Sequence, residues 1–169
     1  MFTIGPIDDV EITDLKTYRD QRGWLTELFR TDELLAAHAP AMAYISETLP
    51  GIVRGPHEHV DQTDCFVFIG PGDFLVRLWD AREDAATFGR MYDVVVGASR
   101  PARVIVPPGV VHAYKNLGPE AGWVFNAPNR LFAGQGKNEP VDEIRHELNL
   151  NSPYVLEPGV RQPAKQRAA

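Results

Sequence analysis

Three of the chain's five histidines stand in two short patterned segments. The first reads Gly51-Ile52-Val53-Arg54-Gly55-Pro56-His57-Glu58-His59, followed by Asp64, Gly70 and Gly72. Because side chains alternate along a strand, His57 and His59 point to the same side. The second segment, Pro107-Pro108-Gly109-Val110-Val111-His112-Ala113-Tyr114-Lys115-Asn116, is a tight turn launching a strand with His112 and Tyr114 on one face. Two strands thus aim imidazoles at one cavity. Two chemistries suit such a set. A neutral imidazole is a general base near pH 7, with activity expected to rise with pH around an ordinary histidine pKa of about 6.5, and the Tyr114 hydroxyl is a proton donor. Alternatively, His57, His59, Asp64 and His112 form a three-histidine, one-carboxylate set for one divalent transition metal (Fe, Mn, Ni or Zn). The bland alternative is a group of hydrogen-bonded core histidines.

The elements that must position these residues are short strands. Gly and Pro number 14 each and punctuate β-like runs along the whole sequence. Strands are expected at Val10–Arg19, Trp24–Arg30, Ala43–Leu49, Val53–His57, Cys65–Ile69, Phe74–Arg82, Tyr92–Val96, Arg103–Val106, Val111–Asn116 and Trp123–Ala127. One helix is expected at Asp32–His38, capped by Thr31, and a second at Val141–Leu148. This pattern predicts a mainly β sandwich or small barrel with one or two short helices. Residues 1–156 read as a single domain. Glu157–Ala169 holds one large apolar residue, Val160, and reads as a loose tail.

Composition narrows the partners. With 169 residues, 17 Lys+Arg against 23 Asp+Glu and a net charge of −6, the chain lacks the positive excess that nucleic-acid binding uses. No apolar run approaches the roughly 20 residues of a membrane span. The acidic start lacks the basic flank of a signal peptide, and the lone Cys65 cannot form an internal disulfide, so a cytoplasmic protein is expected. Trp24, Trp79 and Trp123 read most simply as core, and Cys65 as a buried small hydrophobe.

The spacing of the two histidine segments resembles the two motifs of the cupin superfamily, with Asp64 where the pattern usually has Glu. Around them, Asp20-Gln21-Arg22-Gly23-Trp24-Leu25-Thr26-Glu27, Arg54-Gly55-Pro56-His57, Asp80-Ala81-Arg82 and Thr87-Phe88-Gly89 resemble the dTDP-4-dehydrorhamnose 3,5-epimerase family, in order from about Asp20 to about Ala127. The resemblance implies a cupin jelly-roll barrel, usually a homodimer, acting without metal on a nucleotide-diphosphate 4-keto-6-deoxy sugar. It implies His57 as the base that removes a proton beside the ketone, and His112 as its partner in the cavity. It further implies Arg22 and Arg54 as the diphosphate grip, Glu27 as a substrate-site acid and Trp24 as an aromatic against the nucleotide.

The chain departs from the family pattern at four places. Phe125 stands where the family's tyrosine acid belongs, Cys65 at or beside its lysine, Val76 near its inward aspartate, and no counterpart of its C-terminal aspartate is found in Ser152–Ala169. Tyr114 is the nearby replacement donor by sequence. Single-site epimerisation or isomerisation is one outcome of these departures, and a non-catalytic sugar-binding cupin is another.

Overall fold

The computed structural model describes residues 1–156; the expected tail at 157–169 lies outside them. The strands are β1 (Thr3–Ile4), β2 (Glu11–Asp14), β3 (Thr17–Asp20), β4 (Gly23–Thr26), β5 (Tyr44–Thr48), β6 (Val53–Glu58) and β7 (Asp64–Phe68). There follow β8 (Asp73–Asp80), β9 (Arg90–Gly97), β10 (Ala102–Val106), β11 (Val110–Asn116), β12 (Gly122–Asn126) and β13 (Ile144–Arg145). A sheet in the order β1-β9-β8-β11-β6-β13 faces one in the order β2-β10-β7-β12-β5, while β3 and β4 form a separate hairpin. This is the mainly β arrangement that the short strands imply and the jelly roll that the family resemblance implies.

Period-two alternation explains the core. Phe66 and Phe68 of β7, Phe74, Val76 and Leu78 of β8, Val104 and Val106 of β10, Tyr114 of β11 and Val124 of β12 all point between the sheets and form one cluster. Each fully buried side chain of this size stabilises by about 1.5–3 kcal/mol relative to leaving it in water. The outer faces are covered too. Leu34 and Phe29 lie over Cys65, Ile105 and Ala127, and Phe2, Tyr154 and Leu156 lie over Trp79, Val111 and Ala113. That double cover is why every residue of β7 and β10 is buried.

Neither expected helix forms. Asp32–His38 contains only a 3₁₀ turn at Ala36–His38, and Thr31 caps nothing. A seven-residue segment gains too few helical bonds to offset nucleation, whereas docking Leu34 on the sheet needs no helix. Val141–Leu148 becomes β13 and a 3₁₀ turn at His146–Leu148, because the exposed edge of β6 competes for its backbone, pairing Ile144 with Glu58 and Arg145 with His57. The expected strand Val10–Arg19 splits into β2, which joins β10, and β3, which pairs with β4. No helix among the described residues is long and apolar enough to cross a membrane.

Candidate active site

A β-bulge sets the site. His112 pairs with His57 and Tyr114 with Arg54, so β6 spends one residue more than β11 between these two pairs. The bulge puts Arg54 and His57, three apart in sequence, on the same inward face. Gly55 permits it: its φ is +83°, and a Cβ there would stand 2.6 Å from the His112 carbonyl oxygen and 3.1 Å from the His57 nitrogen.

The imidazoles meet at the end of the barrel where β6 and β11 pair. The His57 and His112 rings stand edge to face at 4.4 Å, and His59 lies 5.9 Å from His57 and 5.8 Å from His112. Asp64, the first residue of β7, reaches in from the opposite sheet, with Oδ2 3.1 Å from His59 Nε2 and 3.2 Å from His112 Nε2. Its Oδ1 accepts hydrogen bonds from Gln62 Nε2 and Asn126 Nδ2, each 2.9 Å long.

Backbone carbonyls fix the tautomers. His112 Nδ1 donates to the Val110 carbonyl over 3.1 Å, and His59 Nδ1 donates to the Asp142 carbonyl, turning both Nε2 atoms toward Asp64. The Gln62 amide nitrogen lies 3.1 Å from His59 Nε2 and donates to Asp64 Oδ1 over 2.9 Å. Burial opposes charge on His59, yet the Asp64 carboxylate beside it outweighs burial and pushes the imidazole up to about 8. Burial likewise disfavours the Asp64 carboxylate, but the imidazoles of His112 and His59 against it hold it well below the usual carboxylate range. His59 and Asp64 therefore form a buried ion pair at neutral pH.

His57 is different. Its imidazole has no hydrogen-bond partner among the described residues. Burial first, then the nearby His112, hold its pKa well below the ordinary value, so it is neutral and unencumbered at pH 7. The limb of a pH–activity profile governed by His57 accordingly falls below pH 6.5, the ordinary value from which the sequence places it.

The remaining sequence-derived candidates separate into three places. Arg54 is inside, with Nε donating to Thr48 Oγ1 over 2.9 Å and a second nitrogen to the Glu47 carbonyl. Tyr114 is inside but deeper, edge-on to Phe66, Phe68 and Phe74, with its hydroxyl 3.3 Å from Ser46 Oγ. Arg22, Trp24 and Glu27 lie on or just beyond the β3–β4 hairpin, outside the barrel. Arg22 is turned to Asp20 over 3.1 Å, and Glu27 to Arg30 over 3.5 Å.

Phe125 requires a correction. Val124 and Asn126 of β12 point inward, so Phe125 and Trp123 point outward, where they join Trp24, Leu28 and Ile45 in an apolar groove of about 540 Å³. Phe125 therefore does not stand in for an acid inside the barrel, and giving it a hydroxyl would place that group on the outer wall. Trp79 is core as expected, but Trp24 and Trp123 are about half exposed on this groove. Cys65 also faces outward, under Leu34, and burial pushes its thiol up to about 11, so it offers neither cation nor nucleophile.

Sequence reasoning missed four contributors: Gln62, Asn126, Asp142 and Tyr44. The Asp142 carboxylate accepts the backbone N–H groups of Val60, Asp61 and Gln62 at 2.8–2.9 Å, pinning the loop that follows the histidine pair. No local spacing marks these four. The chemistry of the donor set also suits a cation, since the ligand atoms of His57, His59 and His112 lie within 4.8 Å of one another.

Residues 5–139 match the sequence model of the dTDP-4-dehydrorhamnose 3,5-epimerase family. The chain is 35% identical over 150 residues to the probable low-salt glycan biosynthesis epimerase Agl13 of Haloferax volcanii, covering 86% of this chain and 96% of that protein. Its fold resembles the dTDP sugar isomerase of Desulfovibrio desulfuricans at a TM-score of 0.72, with 24% identity over 82% of this chain and 84% of that one. A double mutant of ChmJ, a 3'-monoepimerase from Streptomyces bikiniensis solved in complex with dTDP, aligns at a TM-score of 0.71, with 24% identity over 86% of this chain and 72% of that one.

Proposed function

Since the chain belongs to the dTDP-4-dehydrorhamnose 3,5-epimerase family, whose sequence model spans residues 5–139, we propose that His57 is the base that removes a proton beside the ketone of a nucleotide-diphosphate 4-keto-6-deoxy sugar. One observation carries this assignment. The His57 imidazole is neutral and, among the described residues, makes no hydrogen bond, whereas His59 and His112 are oriented by carbonyls and face Asp64. The ketone acidifies the adjacent C–H, and the electron pair left by the proton moves onto the carbonyl oxygen as an enolate. His112 packs edge to face against His57 at 4.4 Å and fixes the orientation of its ring in the cavity. The test is deuterium uptake from heavy water at the carbons flanking the ketone of a dTDP-4-keto-6-deoxy sugar, with chirality followed by NMR.

Arg54 is the inward-facing guanidinium and in this reading meets the diphosphate, exchanging its carbonyl partner for a phosphate oxygen. Arg54→Ala is expected to weaken dTDP binding by about 1.5–3 kcal/mol, the scale of a charge-assisted hydrogen bond, which is roughly tenfold to a hundredfold in Kd by isothermal titration. Unchanged affinity would remove Arg54 from the anion site.

We also propose a homodimer. A two-stranded hairpin is marginal alone, and β3–β4 exposes Tyr18, Trp24 and Leu25 beside the groove formed by Ile45, Trp123 and Phe125. Arg22, Trp24 and Glu27 are separated from the histidines by the β5-bearing sheet, so they serve a bound sugar nucleotide only across a subunit contact. Sedimentation at micromolar concentration is expected to show a dimer, and Trp123→Glu to shift it toward monomer. A wild-type monomer would overturn this.

A second reading is favoured by one specific observation: Asp64 Oδ2 and His112 Nε2 are buried, face each other and, among the described residues, make no well-angled hydrogen bond. A divalent cation held by His57, His59, His112 and Asp64 would satisfy both atoms and act as a Lewis acid. Stoichiometric metal in protein purified without chelator, with no deuterium exchange, would favour it over the metal-free reading.

A further inference from the structure

Inverting a carbon beside a ketone requires that the returning proton arrive on the face opposite its removal, so the donor must stand across the cavity from His57. We infer that Tyr44 is this acid. The inference rests on the epimerase reading of His57, and its placement follows from the strand order. β5 and β6 are joined by a tight turn and lie toward the same open edge of the two opposing sheets. Near that turn Arg54 of β6 binds across to Thr48 and Glu47 of β5. From this tie β5 runs back to Tyr44 while β6 runs forward to His57, leaving the two side chains on opposite walls of the opening.

Alternation turns Tyr44 inward. Ile45 and Glu47 point out, Ile45 into the apolar groove and Glu47 toward the Trp123 indole, so Tyr44, Ser46 and Thr48 point in. A short chain of polar contacts links Tyr44 to the base. Asn126 Nδ2 donates to the Tyr44 hydroxyl and to Asp64 Oδ1, each over 2.9 Å. Asp64 Oδ2 is 3.2 Å from His112 Nε2, and the His112 ring lies 4.4 Å from that of His57.

Two features suit Tyr44 to donate. Its oxygen already accepts from Asn126, and among the described residues its own hydrogen has no acceptor, so that hydrogen is available to a substrate. Burial, reinforced by the Asp64 charge against the weaker pull of the Asn126 bond, pushes the phenol up to about 12, which keeps it protonated at neutral pH. Tyr114 is the inferior candidate, because it lies in the same sheet as His57, is packed among three phenylalanines and shares its hydroxyl with Ser46.

The step balances. His57 takes the proton from carbon, and the C–H electron pair becomes the enolate C=C bond as the carbonyl π pair moves to oxygen. The enolate then takes the Tyr44 proton on its far face, its C=C pair forming the new C–H bond while the ketone re-forms. This leaves a phenolate held by the Asn126 N–H and an imidazolium on His57. Solvent water carries the proton from the imidazolium to the phenolate and resets both groups.

The experiment compares wild type, Tyr44→Phe and Tyr114→Phe in full-length protein with dTDP-4-keto-6-deoxyglucose in heavy water, reading deuterium uptake and configuration by NMR. Tyr44→Phe is expected to keep exchange within a few-fold of wild type and to lose inversion by about 10²-fold or more, the scale of one general acid, while Tyr114→Phe inverts normally. Tyr44→Met serves as a second variant with the same expectation, and thermal melting identifies any variant that is unfolded. Inversion by Tyr44→Phe within threefold of wild type, or loss confined to Tyr114→Phe, overturns the assignment alone. A wild type that neither exchanges nor inverts overturns the epimerase reading, and the assignment with it.

Discussion

His57→Asn is expected to lower deuterium uptake beside the ketone by about 10³-fold, because an asparagine amide of similar size and polarity cannot accept a proton near neutral pH. With His57 as the proposed base the loss is expected on kcat rather than on binding, and dTDP affinity is expected to stay close to wild type. The pH profile of wild type carries a second expectation. A base at His57 acts only when neutral, and burial together with His112 holds its pKa well below 6.5, so activity is expected to persist on the acidic side of pH 6.5 before falling. Metal content measured on both proteins decides between the two readings of the cluster. Exchange by a wild type free of stoichiometric metal, lost in the variant, assigns the proton abstraction to His57, whereas a variant retaining exchange within tenfold removes His57 from that role.

Asp64→Asn is expected to have the largest effect on stability. The carboxylate is almost fully buried and faces His59 at 3.1 Å, and removing one member of a buried pair leaves the other charge without compensation. Such changes cost on the order of 3–5 kcal/mol. In a domain of this size that is a fall in Tm on the order of 10 °C.

The pH dependence has a definite sign. The folded-state pKa of His59 is raised to about 8 from 6.5, so the pair's contribution is fully present below pH 6.5 and is lost as pH rises through about 8. The Asp64 pKa is depressed, so on the acidic side the contribution is present above an ordinary Asp pKa of about 4 and falls away below it. The Tm gap between wild type and variant is therefore widest between about pH 4 and 6.5 and narrows above pH 8. A gap that stays flat from pH 6 to pH 9 would show that His59 and Asp64 are not an ion pair.

Much of the architecture was legible because its causes are local. Alternation within β7, β8, β10 and β11 reflects the strand repeat, and the turns before Gly51, Gly72 and Gly109 are written in Pro-Gly pairs. His57 near the end of β6, His59 two residues on and just past that end, and His112 after its turn could be placed on one cavity from spacing alone. The same locality misled at Asp32–His38 and Val141–Leu148. There helical periodicity was outweighed by a docking site for Leu34 and by the free edge of β6, neither of which those segments contain.

What tertiary structure alone decided is parity and partnership. A strand's pattern fixes which residues share a face but not which face is inside, and a shift of one residue exchanges them all. On β12 that choice turned Asn126 inward and Phe125 outward, and on β5 it turned Tyr44 toward the histidines. The bulge at Gly55 reversed the rule locally by bringing Arg54 and His57 together across three residues. The ion pair of His59 with Asp64, its orientation by Asp142 some 83 residues away, and the bond from Asn126 to Tyr44 across 82 residues join groups whose sequence separation carries no signal. Their proximity is enforced by the packing of two sheets, which the sequence specifies only as a whole chain.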